Sequence, residues 1–286
     1  MTISKTISSS VCWSRFAVLY VMLLLCNNIW AQRDSYEGDT IRDDDVVTRV
    51  QTVAVGQTNV LDTYLSPAEY TGAEIRYISH TTRQELGSRI SRQIVHQGNI
   101  AELEDQVGKG SEIAGLYDLG LALHYNWSLL NERLLLQAGG QFETGLGVIY
   151  NTRNSNNPAQ MRLFANIGPS AIATYKFRMF RHRCNVCYEV SVPLVGLMFS
   201  PNYGQSYYEI FSLGNYDHNC VVTTVGNAPS LRHSLSLDIF FKSFTLRVGY
   251  LGDFQQAKVN HLKQHVNTHA MMIGFVKKFS ILKIGD

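Results

Sequence analysis

From Glu112 to Val148 the chain changes character at every second residue, and few folds accommodate that pattern for so long. Ile113, Gly115, Tyr117, Leu119, Leu121, Leu123, Tyr125 and Trp127 share one parity, with Glu112, Ala114, Leu116, Asp118, Gly120, Ala122, His124 and Asn126 between them. After a tight connection at Leu129–Asn131, Leu134, Leu136, Ala138, Gly140, Phe142, Leu146 and Val148 take one face, against Arg133, Gln137, Gln141 and Glu143 on the other. Successive side chains of a strand point to opposite faces, so this spacing predicts two strands, each with one apolar and one polar face. Each run is about 16 residues long, roughly three times the usual strand of a soluble domain. The apolar face ends on Tyr125 and Trp127, rings that suit a membrane–water boundary. The stretch reads as one hairpin of a transmembrane β-barrel.

The N-terminal residues fit export. Lys5 and Arg15 precede an apolar run, Phe16–Cys26, and a polar stretch ends on Trp30-Ala31-Gln32. A basic region, a short apolar core and a small residue at a cleavage position predict a secretory signal peptide over 1–31, leaving Gln32 as the new N-terminus. About 11 apolar residues are too few to span a bilayer as a helix. Leu25 stands before Cys26 where a lipoprotein signal would carry a small residue, which disfavours a lipid anchor. Lys5 and Arg15 are the only charged residues before Ala31, so 25 basic and 23 acidic residues become 23 of each once 1–31 is removed. Balanced charge offers no footprint for nucleic acid. Beyond residue 31 no run approaches 20 apolar residues, so no transmembrane helix is expected.

Three cysteines follow the signal segment. Cys184 and Cys187 lie in an alternating run with Val186, Tyr188, Val190, Val192 and Leu194. Positions three apart on a strand face opposite ways, and no further ligands stand at suitable spacing, so neither a metal nor a cofactor is expected. A disulfide using Cys220 remains open in an oxidising compartment, with one thiol left over.

Taken in order, 32–45 is an acidic solvated linker and 46–286 is the barrel. Strands are expected at Val46–Gly56, Thr71–Arg83, Ser88–His96, the two of the hairpin, Met161–Phe177, Arg183–Phe199, Leu231–Phe241, Phe244–Phe254 and His265–Phe279. That is about ten, an even number, as a closed bacterial barrel requires. Tight turns near Leu86, Leu130, Arg181 and Lys242 alternate with longer connections at Gln57–Tyr70, Gly98–Gly110, Asn151–Pro158, Pro201–Pro229 and Lys258–Gln264. Short periplasmic turns and longer external loops produce that rhythm, whereas a soluble sandwich has no reason to sort its loops by length. Closure also hides every sheet edge. The expected architecture is all-β, an antiparallel up-and-down transmembrane barrel in the outer membrane.

With its signal segment, Tyr64-Leu65-Ser66-Pro67, Tyr70-Thr71-Gly72 and amphipathic strands, the chain resembles an uncharacterised family of small Gram-negative outer-membrane β-barrel proteins, a domain of unknown function. The resemblance covers nearly the whole chain after residue 31 and implies the barrel fold without any activity. Many such barrels end on an aromatic residue, whereas this chain ends Lys283-Ile284-Gly285-Asp286, with Phe279 the nearest aromatic.

The lumen-facing parity collects Glu74, Arg76, His80, Asp118, His124, Glu143, Arg162, Lys176, Glu189, Arg232, Asp238, Arg247 and Asp253. Side chains mostly fill a small barrel, and unpaired buried charge is costly, so these groups are expected to pair across the interior. That favours a non-enzymatic structural or surface-binding barrel with a filled lumen. A narrow passive channel for small solutes is the alternative, and a hydrolase acting on lipid or peptide is a third. A hydrolase needs nucleophile, base and acid within hydrogen-bond reach. Outer-membrane phospholipases and deacylases resemble one another in a His-x-Ser pair on one face. Here His233 and Ser234 are adjacent, Ser236 is three residues from His233, and His124 is followed two later by Asn126. Outer-membrane proteases resemble each other in a rim Asp–His dyad, echoed only by Asp217-His218. No catalytic residue is assigned, and the chain is not expected to be an enzyme.

His261, His265 and His269 recur every fourth residue, yet His265 and His269 stand about 13 Å apart on an extended strand and read as a wet rim. Tyr203, Tyr207, Tyr208 and Tyr216, with Asp217 and His218, are candidates for an external contact surface toward a ligand the sequence does not name, the alternative being that the tyrosines pack over the barrel mouth. Expected partners are outer-membrane lipids and the barrel-insertion machinery, with no nucleic acid, and the protein is expected to be a monomer.

Overall fold

A computed structural model describes residues 45–281, apart from 86, 109, 155 and 156. The expected signal peptide 1–31, the linker 32–45 except Asp45, the turn residue Leu86 and the C-terminal Lys283-Ile284-Gly285-Asp286 lie outside the described residues.

The strands are β1 (Asp45–Asp62), β2 (Tyr70–Gln84), β3 (Ile90–Asp105), β4 (Ser111–Leu129), β5 (Leu134–Asn151), β6 (Ala159–Met179), β7 (His182–Ser191), β8 (Val195–Phe199), β9 (Cys220–Thr224), β10 (Ser230–Phe240), β11 (Thr245–Val259) and β12 (Leu262–Ile281). β1 to β7 pair in sequence, β10 to β12 continue from β7, and β12 returns to β1, closing an antiparallel ten-stranded barrel. The closing pair runs from Asp45↔Ile281 to Asp62↔Gln264 without a break. The start of β1 and the end of β12 share one end of the barrel, proximal, with connections 85–89, 130–133, 180–181 and 241–244. Connections 63–69, 106–110, 152–158, 192–229 and 260–261 lie at the other, distal end.

Burial alternates residue by residue along β4, which is how a strand with a lumen face and an outward face should look. Ile113, Tyr117, Leu121, Leu123 and Trp127 are exposed, as are Leu146 and Val148 of β5 and Met271 and Ile273 of β12. Ile113 to Trp127 covers about 46 Å of strand and, tilted near 40°, about 35 Å of height, enough for a bilayer's hydrocarbon core. Aromatic pairs mark its proximal edge: Tyr125 with Trp127 at 4.8 Å between ring centres, and Phe241 with Phe244 at 4.8 Å.

The strands outrun the sequence expectation at the distal end. β1 continues from Gly56 to Asp62, β3 from His96 to Asp105, and β11 from Phe254 to Val259. The Gly98–Gly110 connection shrinks to 106–110 and Gln57–Tyr70 to 63–69. The cause is a change of solvent. Above the apolar band the outward face turns polar, as at Glu102 and Glu104, while the inward face turns apolar, as at Ala101 and Leu103. The Lys258–Gln264 connection is a two-residue turn, with Asn260 and His261 at φ 50° and 63°. Positive φ at both central residues is the hairpin geometry that matches strand twist.

One expected strand, Arg183–Phe199, is broken at Val192-Pro193-Leu194. Proline lacks the ladder N–H and restricts the residue before it. β8 stays on β6 through Ile167↔Val195, and β9 then pairs with β8 through Val195↔Thr224. The presumed Pro201–Pro229 loop thus contains a strand and a helical turn, α1 (Tyr207–Phe211), held by a Ser206–Glu209 capping box.

Closure demands close backbone approach between β1 and β12. A Cβ at Gly56 would run into the His269 carbonyl oxygen, and one at Gly274 into that of Gln51. Gly56→Val should lower unfolding stability by about 1–3 kcal/mol, the range for forced overpacking. Urea titration of the refolded protein, followed by heat-modifiable migration, measures it.

Candidate functional site

The lumen is stacked in layers, because inward positions at one height come from every strand. At the distal end Val60, Leu65, Tyr70, Ala101, Leu103, Ala114 and Ile149 form an apolar plug. Beneath it lies a charged layer. Arg232 of β10 reaches three carboxylates: Asp118 of β4 at 2.9 Å, Asp253 of β11 at 3.1 Å, and Glu143 of β5. Arg76 of β2 holds Asp253 at 2.6 Å and its own neighbour Glu74 at 2.8 Å. Gln97 of β3 donates to Asp118 at 2.9 Å, and Thr268 of β12 donates to Glu74 at 3.0 Å. Seven strands therefore meet in one network. A small apolar cluster, Ala54, Leu251, Ala270 and Met272, follows.

Nearer the proximal end Arg247 grips Asp238 with two hydrogen bonds, 2.6 and 2.8 Å. Gln93 donates to Glu189 at 2.8 Å and also meets His80, whose Nδ1 is 3.7 Å from Glu189. His124 and Ser170 share a hydrogen bond of 3.0 Å. Lys176 faces the proximal mouth and is exposed. Arg162 stands at the distal side of the charged layer and donates to Gln255 Oε1 at 2.5 Å. The structure so brings together Glu74, Arg76, Asp118, Glu143, Arg232 and Asp253, gathers Asp238 with Arg247 and His80 with Glu189, and leaves His124, Arg162 and Lys176 outside these ion pairs.

The His124–Ser170 contact has no counterpart in the sequence reading, because 46 residues separate the pair and only barrel closure joins them. It lacks a triad's third member: His124 Nδ1 is buried without a partner, so no acid orients the ring. His233 faces outward, its ring 6.1 Å from Tyr188 and 5.8 Å from Tyr250, whereas Ser234 and Ser236 face the lumen. Also absent from the lumen set chosen in the sequence are the amides Gln93, Gln97 and Gln137. Each sits on an inward parity, but charge alone had guided the selection.

The distal tyrosines divide. Tyr203, Tyr208 and Tyr216 are exposed, and Asp217 pairs with His218 on the surface. Tyr207 leaves the external contact surface and takes the alternative place, over the barrel mouth. Its hydroxyl donates to Gln160 at 2.7 Å and accepts from the Met161 N–H at 2.7 Å, and its ring meets Tyr64 edge-on at 5.8 Å. It caps the lumen from within, and burial raises its phenol. Burial and the nearby Asp62 and Glu209 carboxylates push the Tyr64 phenol up to about 12. Cys184, Cys187 and Cys220 are free thiols, so the disulfide left open by the sequence is not formed. His265 hydrogen-bonds Asn59 at 2.7 Å and His269 bonds Tyr250 at 2.5 Å, while His261 occupies the turn. Among the described residues no group of three or more His, Cys, Asp or Glu is placed to hold a metal ion.

A family profile described as "Protein of unknown function (DUF3316)" matches residues 17–285. No curated protein matches the chain in sequence. Among solved structures, the outer membrane protease OmpT from Escherichia coli is similar at 6% identity and TM-score 0.47, covering 84% of this chain and 99% of that one. The transport unit of the autotransporter AIDA-I from Escherichia coli is similar at 6% identity and TM-score 0.40, covering 87% and 96%. The translocator domain of the autotransporter NalP from Neisseria meningitidis is similar at 9% identity and TM-score 0.35, covering 91% and 97%. These are likenesses of barrel fold and carry no activity over to this chain.

Removing one side of a buried charge cluster strands the other. Arg232→Met should destabilise the refolded barrel by about 3 kcal/mol, and adding Asp118→Asn and Glu143→Gln should recover most of the loss. Urea titrations of the three proteins measure both shifts.

Proposed function

The chain belongs to the DUF3316 family, whose function is unknown, and for it we propose a non-enzymatic, non-conducting barrel of the outer membrane whose distal end faces outward. One observation carries the closed-lumen reading: the Arg232–Arg76 network crosses the interior from β10 to β4 and β5, and from β2 to β11. Guanidinium groups shared among carboxylates hold firmly only in fixed geometry, and that geometry occupies the space through which a solute would pass. The apolar plug above it, with Tyr64 and Tyr207, adds a second obstruction.

Outer-membrane lipids fit the apolar band, and entry into the membrane requires the barrel-insertion machinery. Exposed Tyr203, Tyr208 and Tyr216 give the distal end an aromatic surface through which an external ligand would be met. The lone His124–Ser170 pair, with no acid behind it, supports the non-enzymatic reading.

Planar-bilayer recording tests the proposal. The refolded protein, checked for heat-modifiable migration, should leave the bilayer silent, and Arg76→Ala with Arg232→Ala should introduce discrete conductance steps. Steady conductance from the unaltered protein would overturn the closed lumen and put the narrow channel in its place.

A further inference from the structure

We propose that a lateral opening in the distal barrel wall binds an amphipathic anion, a single acyl chain with a carboxylate or phosphate head, the head resting on Arg162. The inference rests on the membrane placement proposed above and on three features of the wall.

The first is a missing seam. β10 and β11 are paired from Phe240↔Thr245 up to Ser230↔Gln255. Above that rung β9 replaces β10, but it pairs with β8 and not with β11. Over Gln256–Val259 the backbone bond to the neighbouring lane is Lys258 N–H to the Asn227 carbonyl, 2.7 Å. Beside this seam the β7–β8 lane breaks at Pro193. Nearly everywhere else the barrel wall is a continuous ladder.

The second is a cavity at the same place, about 730 Å³ when the open solvent at its mouth is included. Residues of both wall faces line it. Leu194, Val195, Leu231 and Phe254 come from the outward side, Phe164 and Met198 from the lumen side. The cavity thus lies against the wall where the ladder lapses and borders residues of both its faces. Its outward rim is apolar and stands beside exposed Leu197 and Val222, so it opens toward lipid chains.

The third is charge. The cavity reaches Glu143, Asp253, Arg232 and Arg162. Both acids are already engaged, Glu143 by Arg232 and Asp253 by Arg232 and Arg76. Among the described residues Arg162 has no carboxylate within 4.0 Å, Asp62, Asp118 and Asp253 acting on it from farther away, and its hydrogen bond goes to the neutral Gln255 amide oxygen. A guanidinium presents five donors, and a single hydrogen bond to Gln255 leaves most of them free for an anionic head. An acyl chain from that head would leave through the apolar rim into the surrounding lipid. A small polar solute would match the head site and waste the rim.

The test is a titration of the full-length protein, purified in an uncharged detergent, with a fluorescent hexadecanoic acid. Saturable binding of one molecule per chain is expected, displaced by dodecyl phosphate. Hexadecanol should displace it at least about tenfold less well, and inorganic phosphate not at all. Arg162→Gln should weaken binding about tenfold or more, Arg162→Lys should retain most of it, and Ala228→Trp, which fills the cavity mouth, should abolish it. Heat-modifiable migration of each variant verifies that the barrel is intact. Equal competition by hexadecanol, or unchanged binding by Arg162→Gln, overturns the head-group assignment. Displacement by inorganic phosphate overturns the acyl-chain assignment. A protein that fractionates with membranes and binds no probe sinks the opening alone, whereas one soluble without detergent sinks the membrane placement.

Discussion

Every backbone N–H and C=O within an apolar surround must find a partner inside the protein, and the closing pair of β1 and β12 is where this chain meets that demand. The first and last strands align over the full length of β1, from Asp45↔Ile281 to Asp62↔Gln264. That contact joins residues more than 200 positions apart, so nothing local produces it. Once it forms, each strand has two neighbours, each side chain has a fixed choice of lipid or lumen, and the inward parity of ten strands is forced into one narrow space.

The chemistry of the interior follows from that confinement. Arginine and carboxylate side chains from β2, β4, β5, β10 and β11 converge because the inward faces of a narrow barrel leave them within reach of one another. The result is a network stiff enough to fill the lumen but costly to disturb singly. Layers of apolar side chains on either side, around Leu103 above and Met272 below, keep the charges from sliding along the axis. The wall departs from this regularity at the β8–β9 insertion, where the ladder lapses and a cavity lies against it.

The barrel itself was legible. Alternation along Glu112–Val148 placed β4 and β5 to within a few residues, and tight turns near Leu130, Arg181 and Lys242 fell where the proximal hairpins lie. Less legible were the distal extensions of β1, β3 and β11. The reading followed an apolar outward parity, and that parity inverts once the strand leaves the apolar band, as Leu103 inside and Glu104 outside illustrate. The β7–β8 break had a signal in Pro193, but an alternating run carried past it. For Tyr207 the sequence leaves two places open, an external surface or the barrel mouth, and the capped turn of α1 decides for the second by aiming it at Gln160 and Met161.

What the sequence alone determined is parity: which residues of a strand share a face, and that one face is apolar over a membrane's thickness. Parity is a property of the extended backbone and needs no partner. Which inward groups would meet was decided only by the tertiary structure. Arg232 finds Asp118 across 114 residues, His124 finds Ser170 without an orienting acid, and Arg162 finds an amide rather than a carboxylate. Those outcomes depend on the stagger of ten strands around a closed ring, a quantity that no single strand encodes.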